Sequence, residues 1–218
     1  MINTCIFDLD GVIVDTAKFH FIAWQELAQK LGFNFSKKDN EQLKGVSRMR
    51  SLDILLKIGN LSFNENKKIE LATEKNNRYV QLISSLTKKD ILPGVFEFMQ
   101  DIKSKNIKLV LGSASKNAKT ILKSIQLYDF FDAIIDGTNV SKAKPNPEVF
   151  LIGAKAVNSL PQNCIVFEDA YAGIEAAKLA NMLAIGIGNR ESLPNADFVI
   201  ENFRNIKLNN ILEKAIKL

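Results

Sequence analysis

Long apolar runs and cysteines are scarce in this chain of 218 residues. No run approaches the roughly 20 apolar residues that span a bilayer, and the chain does not open with the basic and apolar segments of a signal peptide. We therefore expect a cytoplasmic protein with no membrane partner. Its two cysteines, Cys5 and Cys164, each lie in an apolar, strand-like run. Such a pair gives no disulfide framework, and we expect both thiols to be reduced and buried.

A concentrated basic surface is also missing, although the net charge is +5. The lysines are spread along the whole chain and are not interleaved with aromatic residues. Nucleic-acid-binding proteins combine a basic face with a docking motif, and this sequence has neither. Internal repeats and low-complexity segments are absent too. We expect no nucleic-acid partner, and since nothing in the sequence demands an oligomer, we expect a monomer.

Two kinds of pattern divide the chain. From about Leu92 onward, short apolar segments alternate with helical patterns, which favours a parallel sheet with helices on both faces. Residues 16–90 break this alternation, because they contain helical patterns and no convincing strand. The sequence therefore predicts an α/β core of residues 1–15 and 91–218, with residues 16–90 inserted as a helical cap domain. An insert that leaves the core just after the first strand can act as a lid over the strand ends.

The most informative segment follows the first predicted strand, Cys5-Ile6-Phe7. Residues i and i+2 of a strand project to the same side, so Asp8 and Asp10 place two carboxylates close together. Two such charges are unfavourable unless a cation lies between them or one carboxyl is protonated. Gly11 then allows a sharp turn. A metal-assisted site is the first hypothesis, and a simple strand-end turn is the alternative.

Three further strand ends carry polar groups, namely Ser113, Lys144 and the pair Glu168 and Asp169. Ligands of open parallel sheets bind beyond the carboxyl ends of the strands. Acidic side chains there can hold a hard divalent cation such as Mg²⁺, and a hydroxyl and an ammonium group can hold phosphate oxygens. A cation, a carboxylate nucleophile and a phosphate cradle together indicate phosphoryl transfer.

These motifs, Asp8-Leu9-Asp10-Gly11, Ser113, Lys144-Pro145 and Glu168-Asp169, occur in the order typical of one superfamily. The chain resembles the haloacid dehalogenase superfamily of phosphotransferases over its whole length. The resemblance implies a Rossmann-like (HAD-like) parallel sheet flanked by helices, with an α-helical cap. It also implies that Asp8 is the nucleophile and Asp10 the general acid and base. Mg²⁺ would be held by Asp8, the backbone carbonyl of Asp10 and Asp169, with Glu168 nearby, while Ser113 and Lys144 would bind the phosphoryl group.

A narrower resemblance rests on His20-Phe21-Ile22-Ala23-Trp24, Lys44-Gly45-Val46-Ser47-Arg48 and Ser113-Ala114-Ser115-Lys116-Asn117. These stretches are similar to the β-phosphoglucomutase family, which interconverts β-D-glucose 1-phosphate and β-D-glucose 6-phosphate through β-glucose 1,6-bisphosphate. The resemblance implies that Arg48 holds the distal phosphate of a small sugar phosphate. Thr16 lies where the chain enters the cap, and we expect it to belong to a hinge. The substrate-binding candidates are His20, Trp24, Lys44, Gly45, Val46, Ser47, Arg48, Ser51, Lys75, Ser113, Ala114, Ser115, Lys116, Asn117 and Lys144.

Several of these positions have a purely structural alternative. His20 and Trp24 share a helical face with Leu27, which is typical of a packed core. Lys75 is as readily a solvated lysine, and Ser51 could cap a helix. Asp15 is predicted to cap the first helix of the cap rather than to bind metal.

Two alternatives concern function. A sugar-phosphate phosphatase has the same core motifs, and water completes its reaction. A non-catalytic sensor of sugar phosphates is the third hypothesis, and the complete set of acid, base and metal residues argues against it. The chain departs from many superfamily relatives at Ala170, where they carry a serine beside the metal loop.

Overall fold

The computed structural model describes residues 2–43 and 47–215, and the chain divides into two compact units. The first unit comprises Met1–Asp15 and Leu86–Leu218, and the second comprises Thr16–Ser85. The predicted cap extends to residue 90, whereas in the structure residues 86–90 belong to the first unit. Leu86, which is buried, belongs to that segment.

Both units contain α-helices. The second unit contains α1 (Ala17–Lys30), α2 (Lys37–Asn40), α3 (Arg48–Ile58) and α4 (Glu65–Ile83), and the first contains α5 (Val95–Ser104), α6 (Ala118–Ser124), α7 (Glu148–Ala156), α8 (Tyr171–Leu179) and α9 (Leu208–Ala215). In the part of the chain that the structure describes, none of these helices has the length and apolar character needed to cross a membrane.

The first unit is built on one six-stranded sheet with the order β3-β2-β1-β4-β5-β6. Its strands are β1 (Thr4–Phe7), β2 (Lys108–Gly112), β3 (Ala133–Ile135), β4 (Cys164–Glu168), β5 (Leu183–Ile187) and β6 (Phe198–Ile200). Every neighbouring pair of strands is parallel. The predicted parallel α/β fold is therefore confirmed. Cys5 and Cys164 are free thiols buried in β1 and β4, also as predicted.

The central strands β1 and β4 are buried along their whole length, because both faces of the sheet are covered. This explains their continuous apolar sequences, which are typical of parallel strands. On one face, the rings of Phe7 and Phe167 stack with a centroid distance of 4.7 Å. Phe98 of α5 meets the Phe167 ring edge-on at 5.3 Å and lies 4.9 Å from the ring of Phe203. These four rings form the aromatic cluster beneath the ends of β1 and β4.

The second unit has an apolar core of its own, to which Trp24, Leu27, Leu52, Leu55 and Leu71 contribute. Three of its helices, α2, α3 and α4, begin at side chains that satisfy a free N–H group of the helix start. The Asn64 side chain accepts a hydrogen bond from the Lys67 N–H at 2.9 Å, at the start of α4. The prediction that Asp15 caps α1 is wrong, because Thr16 occupies the N-cap position.

A buried basic cluster of His20, Trp24, Lys75 and Tyr79 lies between α1 and α4. The Lys75 ammonium is 2.8 Å from His20 Nδ1 and 4.6 Å from the centre of the Trp24 ring. The His20 and Tyr79 rings stack at 3.9 Å. Burial, together with the charges of Lys75 and Arg48, lowers the pKa of His20 to about 3. Burial and Arg48 lower the pKa of Lys75 to about 7. The cluster therefore favours a neutral imidazole.

Truncation of the aromatic cluster tests its share of the stability. Phe98 is fully buried among three other rings, so we expect Phe98→Ala to lower the free energy of unfolding by about 3–5 kcal/mol. Phe96, on the same helix, is only partly buried, and Phe96→Ala should cost less than half as much. Urea denaturation of both variants gives the comparison, and equal losses would show that the cluster has no special weight.

The His20 environment predicts a pH dependence of stability. This chain has a single histidine, whose pKa is lowered from 6.5 in the unfolded chain to about 3 in the folded state. Between these values the unfolded chain binds the extra proton, so acidification favours unfolding by up to about 1.4 kcal/mol per pH unit. The contribution of His20 is complete above pH 6.5 and is lost as the pH falls.

His20→Asn removes the titrating group and keeps a hydrogen-bond acceptor for Lys75. We expect urea unfolding of the wild type to lose at most about 3 kcal/mol more than the variant between pH 6.5 and 4.5. Carboxylates titrate equally in both proteins and cancel in this difference, and Lys75 titrates at higher pH. Identical pH slopes in the two proteins would contradict the assignment.

Candidate active site

The site lies where the chain order of the sheet reverses. Strand β1 is central, with β2 on one side and β4 on the other, and ligands of such sheets bind at this point, beyond the strand ends. The Asp8 N–H donates to the carbonyl of Phe167 at 3.0 Å. Because Phe7 pairs with Phe167 in the ladder, Asp8 and Glu168 are the next residues on adjacent strands. Strand pairing thus brings the first and last motifs of the sequence together.

Lys144 joins the two carboxylates. Its Nζ donates to Asp8 Oδ1 at 2.5 Å and to Glu168 Oε2 at 2.8 Å, and its side chain is 10% exposed. The ammonium also lies 4.7 Å from the centre of the Phe150 ring. Burial alone would lower the pKa of Lys144, but the carboxylates of Asp8 and Glu168 raise it above its ordinary value. The lysine therefore keeps its charge at the strand ends.

Three carboxylates lie close together beside the Lys144 ammonium group. Ligand oxygens of Asp8, Glu168 and Asp169 all lie within 4.8 Å of one another. Burial raises the pKa values of Glu168 and Asp169, and the Asp8 carboxylate raises both further. One ammonium cannot neutralise three such groups, whereas a hard divalent cation prefers this all-oxygen set. These residues therefore fit a site for such a cation.

Asp10 has a different environment from Asp8. Burial, and after it the Asp8 carboxylate, raises the pKa of Asp10 to about 8. Asp8, in contrast, accepts the hydrogen bond of the Lys144 ammonium. A carboxyl group with a raised pKa beside one that accepts from an ammonium is a usual arrangement for an acid and a nucleophile. The Asp10 carboxylate is outside the group of three metal-ligating side chains, and the role of its backbone carbonyl stays a prediction.

Gly11 explains how Asp169 comes so near to the first motif. Its φ angle is +79°, in the region that favours glycine, and a Cβ at this position would collide with the Asp169 carboxylate. The turn that follows is held by a hydrogen bond from the Gly11 N–H to the Val14 carbonyl at 2.9 Å. Glycine is therefore required at position 11, both for its backbone conformation and because a side chain would strike Asp169.

The loop after β2 carries the hydroxyls of the predicted phosphate cradle. Ser113 is buried, and its Oγ accepts a hydrogen bond from the Ser115 N–H at 3.1 Å. Ser115 Oγ in turn accepts from the Asn117 N–H at 3.3 Å, just before α6. Ala114 and Lys116 are exposed on the same loop. Residues 113–117 of the predicted substrate set thus lie on one tight loop after β2, while Lys144, the other candidate of this unit, follows β3.

The second unit holds the remaining candidates. His20, Trp24 and Lys75 belong to the buried basic cluster, and Trp24 is also part of the apolar core. The solvated alternative for Lys75 is wrong, because this residue is only 3% exposed. Thr16 is buried at the start of α1, and its hinge role stays a prediction.

The start of α3 contains three more candidates. Ser47 is the N-cap, and its hydroxyl accepts from the Arg50 N–H at 3.3 Å. Arg48 is exposed at the first helical position, and Ser51 is buried one turn later. The capping alternative for Ser51 is therefore wrong. The remaining candidates of this loop, Lys44, Gly45 and Val46, lie outside the described residues.

Two small residues after Asp169 shape the acidic site, namely Ala170, named above as a departure from relatives, and Gly173, which the sequence motifs did not single out. Gly173, in the first turn of α8, lies against Glu168, and a Cβ there would collide with the carboxylate. Ala170 has no hydroxyl, but its backbone N–H donates to Glu168 Oε1 at 3.1 Å. Gly173 itself was the available signal, since a glycine in the first turn of a helix that follows two carboxylates indicates a close approach with no room for a Cβ.

Comparisons with known proteins agree with this geometry. Residues 2–181 match the family model of haloacid dehalogenase-like hydrolases. The chain is 41% identical to the β-phosphoglucomutase of Bacillus subtilis over 211 residues, which cover 96% of this chain and 93% of that protein. It is 33% identical to a phosphorylated carbohydrates phosphatase of Thermotoga maritima over 180 residues, or 81% of each chain.

A solved structure gives the same result. The crystal structure of β-phosphoglucomutase from Clostridium difficile matches this fold with a TM-score of 0.92 and 49% sequence identity, covering 100% of this chain and 98% of that one. The four motifs, the parallel sheet and these similarities have one explanation. The chain belongs to the haloacid dehalogenase-like hydrolase family, and it shares the sequence and fold of β-phosphoglucomutases over nearly its whole length.

Proposed function

We propose that this protein is a β-phosphoglucomutase that interconverts β-D-glucose 1-phosphate and β-D-glucose 6-phosphate. The observation that carries the proposal is the similarity to two β-phosphoglucomutases, at 41% and 49% identity, across almost the entire chain. The site chemistry supports it, because the proposed nucleophile, acid and phosphate ligands all lie on loops beyond the carboxyl ends of the strands. We further propose that it acts as a cytoplasmic monomer on small sugar phosphates.

Asp8 attacks the phosphorus of the bound phosphate in the proposed reaction. A bond forms between an Asp8 carboxylate oxygen and phosphorus, and the bond from phosphorus to the sugar oxygen breaks. Lys144 already lies at Asp8 Oδ1, so it can balance the charge that develops on the phosphoryl oxygens. The Ser113 hydroxyl is proposed to bind another phosphoryl oxygen.

Asp10 supplies the proton. Since its pKa is raised to about 8, it carries a proton at neutral pH and can give it to the departing sugar oxygen. In the second half of the reaction the Asp10 carboxylate takes the proton from the sugar-phosphate hydroxyl that attacks the aspartyl phosphate. The new bond from the sugar oxygen to phosphorus gives β-glucose 1,6-bisphosphate, and the bond from Asp8 to phosphorus breaks. The acid and the base are thus one residue, used in opposite directions.

Mg²⁺ is the proposed cofactor. The residues that would hold it are Asp8 and Asp169, with Glu168 beside them and the Asp10 carbonyl as a further ligand. When bound, the ion supplies positive charge to the phosphoryl group and relieves the repulsion among the carboxylates. Arg48 is proposed to hold the distal phosphate, for which a guanidinium fork is well suited.

A sugar-phosphate phosphatase is the second candidate function. The Thermotoga maritima relative, whose name describes a phosphatase of phosphorylated carbohydrates, favours it at 33% identity. The two reactions share the attack by Asp8 and differ in the acceptor, which is water in one and a sugar hydroxyl in the other. A mutase must keep water from the aspartyl phosphate, and we propose that the second unit performs this task.

One assay separates the two functions. The protein is incubated with Mg²⁺, β-glucose 1-phosphate and a trace of β-glucose 1,6-bisphosphate, while glucose 6-phosphate and free phosphate are followed together. We expect glucose 6-phosphate to accumulate with little free phosphate. Stoichiometric phosphate release without isomerisation would refute the mutase function in favour of the phosphatase.

Asp10→Asn tests the proton-transfer role. The amide cannot donate and regain the proton, so we expect kcat to fall by about 100-fold or more, while circular dichroism and Mg²⁺ binding stay close to those of the wild type. Asp129→Asn, at an exposed aspartate of the same unit, is the matched control and should keep full activity. An unchanged rate for Asp10→Asn would eliminate Asp10 as the acid and base.

A further inference from the structure

A turn after β3 contacts the phosphate loop although none of its residues belongs to the four motifs. The turn consists of Asp136, Gly137 and Thr138, and the phosphate loop is the segment Ser113–Asn117. The Ser113 N–H donates to the Ile135 carbonyl at 3.0 Å, and the Gly137 N–H donates to the Ser115 carbonyl at 3.2 Å. One backbone hydrogen bond from the end of β3 and one from the turn itself thus hold the phosphate loop beside the strand ends.

Gly137 lies against the phosphate loop at its closest approach. A Cβ at this position would collide with the carbonyl oxygen of Ala114, a backbone atom that can move only with its loop. The φ angle of Gly137 is outside the left-handed region. Glycine is therefore required here by space and not by backbone conformation, and an alanine would push the Ala114–Ser115 peptide away.

Displacement of that peptide would reach the Ser113 hydroxyl. Ser113 Oγ accepts its hydrogen bond from the Ser115 N–H, which belongs to the Ala114–Ser115 peptide. Loss of this donor frees the hydroxyl to rotate away from the orientation seen here. The position of Gly137 is thus coupled to the orientation of Ser113 through one peptide group.

Asp136 holds the turn in shape. Its buried carboxylate accepts hydrogen bonds from Thr138 through Oδ1, at 2.8 Å from the backbone N–H and at 2.5 Å from the hydroxyl. Its other oxygen is 3.5 Å from the ammonium of Lys119, whose side chain is 45% exposed. The short bonds to Thr138 are therefore the main constraint, and the exposed ion pair contributes little.

We infer that the Asp136–Thr138 turn is a positioning element of the active site, in which Gly137 sets the Ala114–Ser115 peptide and thereby orients the Ser113 hydroxyl toward the transferred phosphoryl group. This inference deepens the proposed function, because it rests on Ser113 as a phosphate ligand. The turn would then affect phosphate affinity and the rate of phosphoryl transfer, and not only the stability of the fold.

The test uses inorganic phosphate as the probe, in the presence of Mg²⁺, with affinity measured by phosphorus NMR or calorimetry and with mutase kcat and KM measured alongside. We expect Gly137→Ala to weaken phosphate binding by about tenfold, the size of one lost hydrogen bond to a charged group. Gly188→Ala is the control, since Gly188 has a φ of +115° and open space around it. That variant should lose stability and keep the affinity for phosphate.

A double-mutant comparison shows whether the effect passes through Ser113. In a Ser113→Ala background, Gly137→Ala should cause no further loss, because coupled residues are not additive. Asp136→Ala should behave like Gly137→Ala, whereas Asp136→Asn keeps an acceptor for Thr138 and should restore binding to within about threefold.

Two results would overturn the inference. One is wild-type affinity for phosphate in Gly137→Ala, and the other is an equal loss with and without Ser113. Failure of the proposed function has a different signature. A wild type that binds phosphate but does not isomerise the sugar phosphate would refute the mutase, and the coupling of Gly137 to Ser113 would still be measured by binding.

Discussion

The ion pairs of Lys144 with Asp8 and Glu168 are the interaction on which the site depends. Parallel pairing of β1 with β4 forces two acidic strand ends together, and Asp169 adds a third carboxylate to them. A sheet edge with this excess of negative charge is unfavourable without positive charge from elsewhere. Lys144 supplies part of it, and the oxygen ligands of these carboxylates fit a divalent cation that would supply the rest. The clustered carboxylates thus destabilise the fold when no cation is bound, and the same clustering suits phosphoryl transfer.

Much of the first unit could be predicted because its signals are local. The alternation of short apolar segments with helical patterns beyond Leu92 predicted a parallel sheet, and the structure has one there. Three of the motifs lie at or directly after strand ends, and parallel strands end at one edge, so Asp8, Ser113 and Glu168 could be expected to converge. The resemblance to a known superfamily added the roles of Asp8 and Asp10, which position alone does not separate. Their different environments, an ammonium at Asp8 and burial at Asp10, agree with that division.

Other features depend on contacts that no local pattern contains. Lys75 resembled a solvated lysine of an amphipathic helix, and only the packing of α1 against α4 shows that His20 and two aromatic rings enclose it. Asp15 had the residue type of a helix cap, but α1 begins one residue later. Gly137 and Gly173 carry no chemistry of their own, so their importance becomes visible only from the atoms that a side chain would strike.

The central claim is that three carboxylates exceed the charge that Lys144 can neutralise. Thermal unfolding of the wild type and Asp169→Asn at pH 8, first with a chelator and then with Mg²⁺, tests it directly. Because the pKa of Asp169 is raised in the folded state, its charge destabilises the metal-free fold at this pH. We predict a higher Tm for metal-free Asp169→Asn than for metal-free wild type, and a rise in Tm with Mg²⁺ that is large in the wild type and small in the variant. A lower Tm of the metal-free variant, with no response of the wild type to Mg²⁺, would contradict the account.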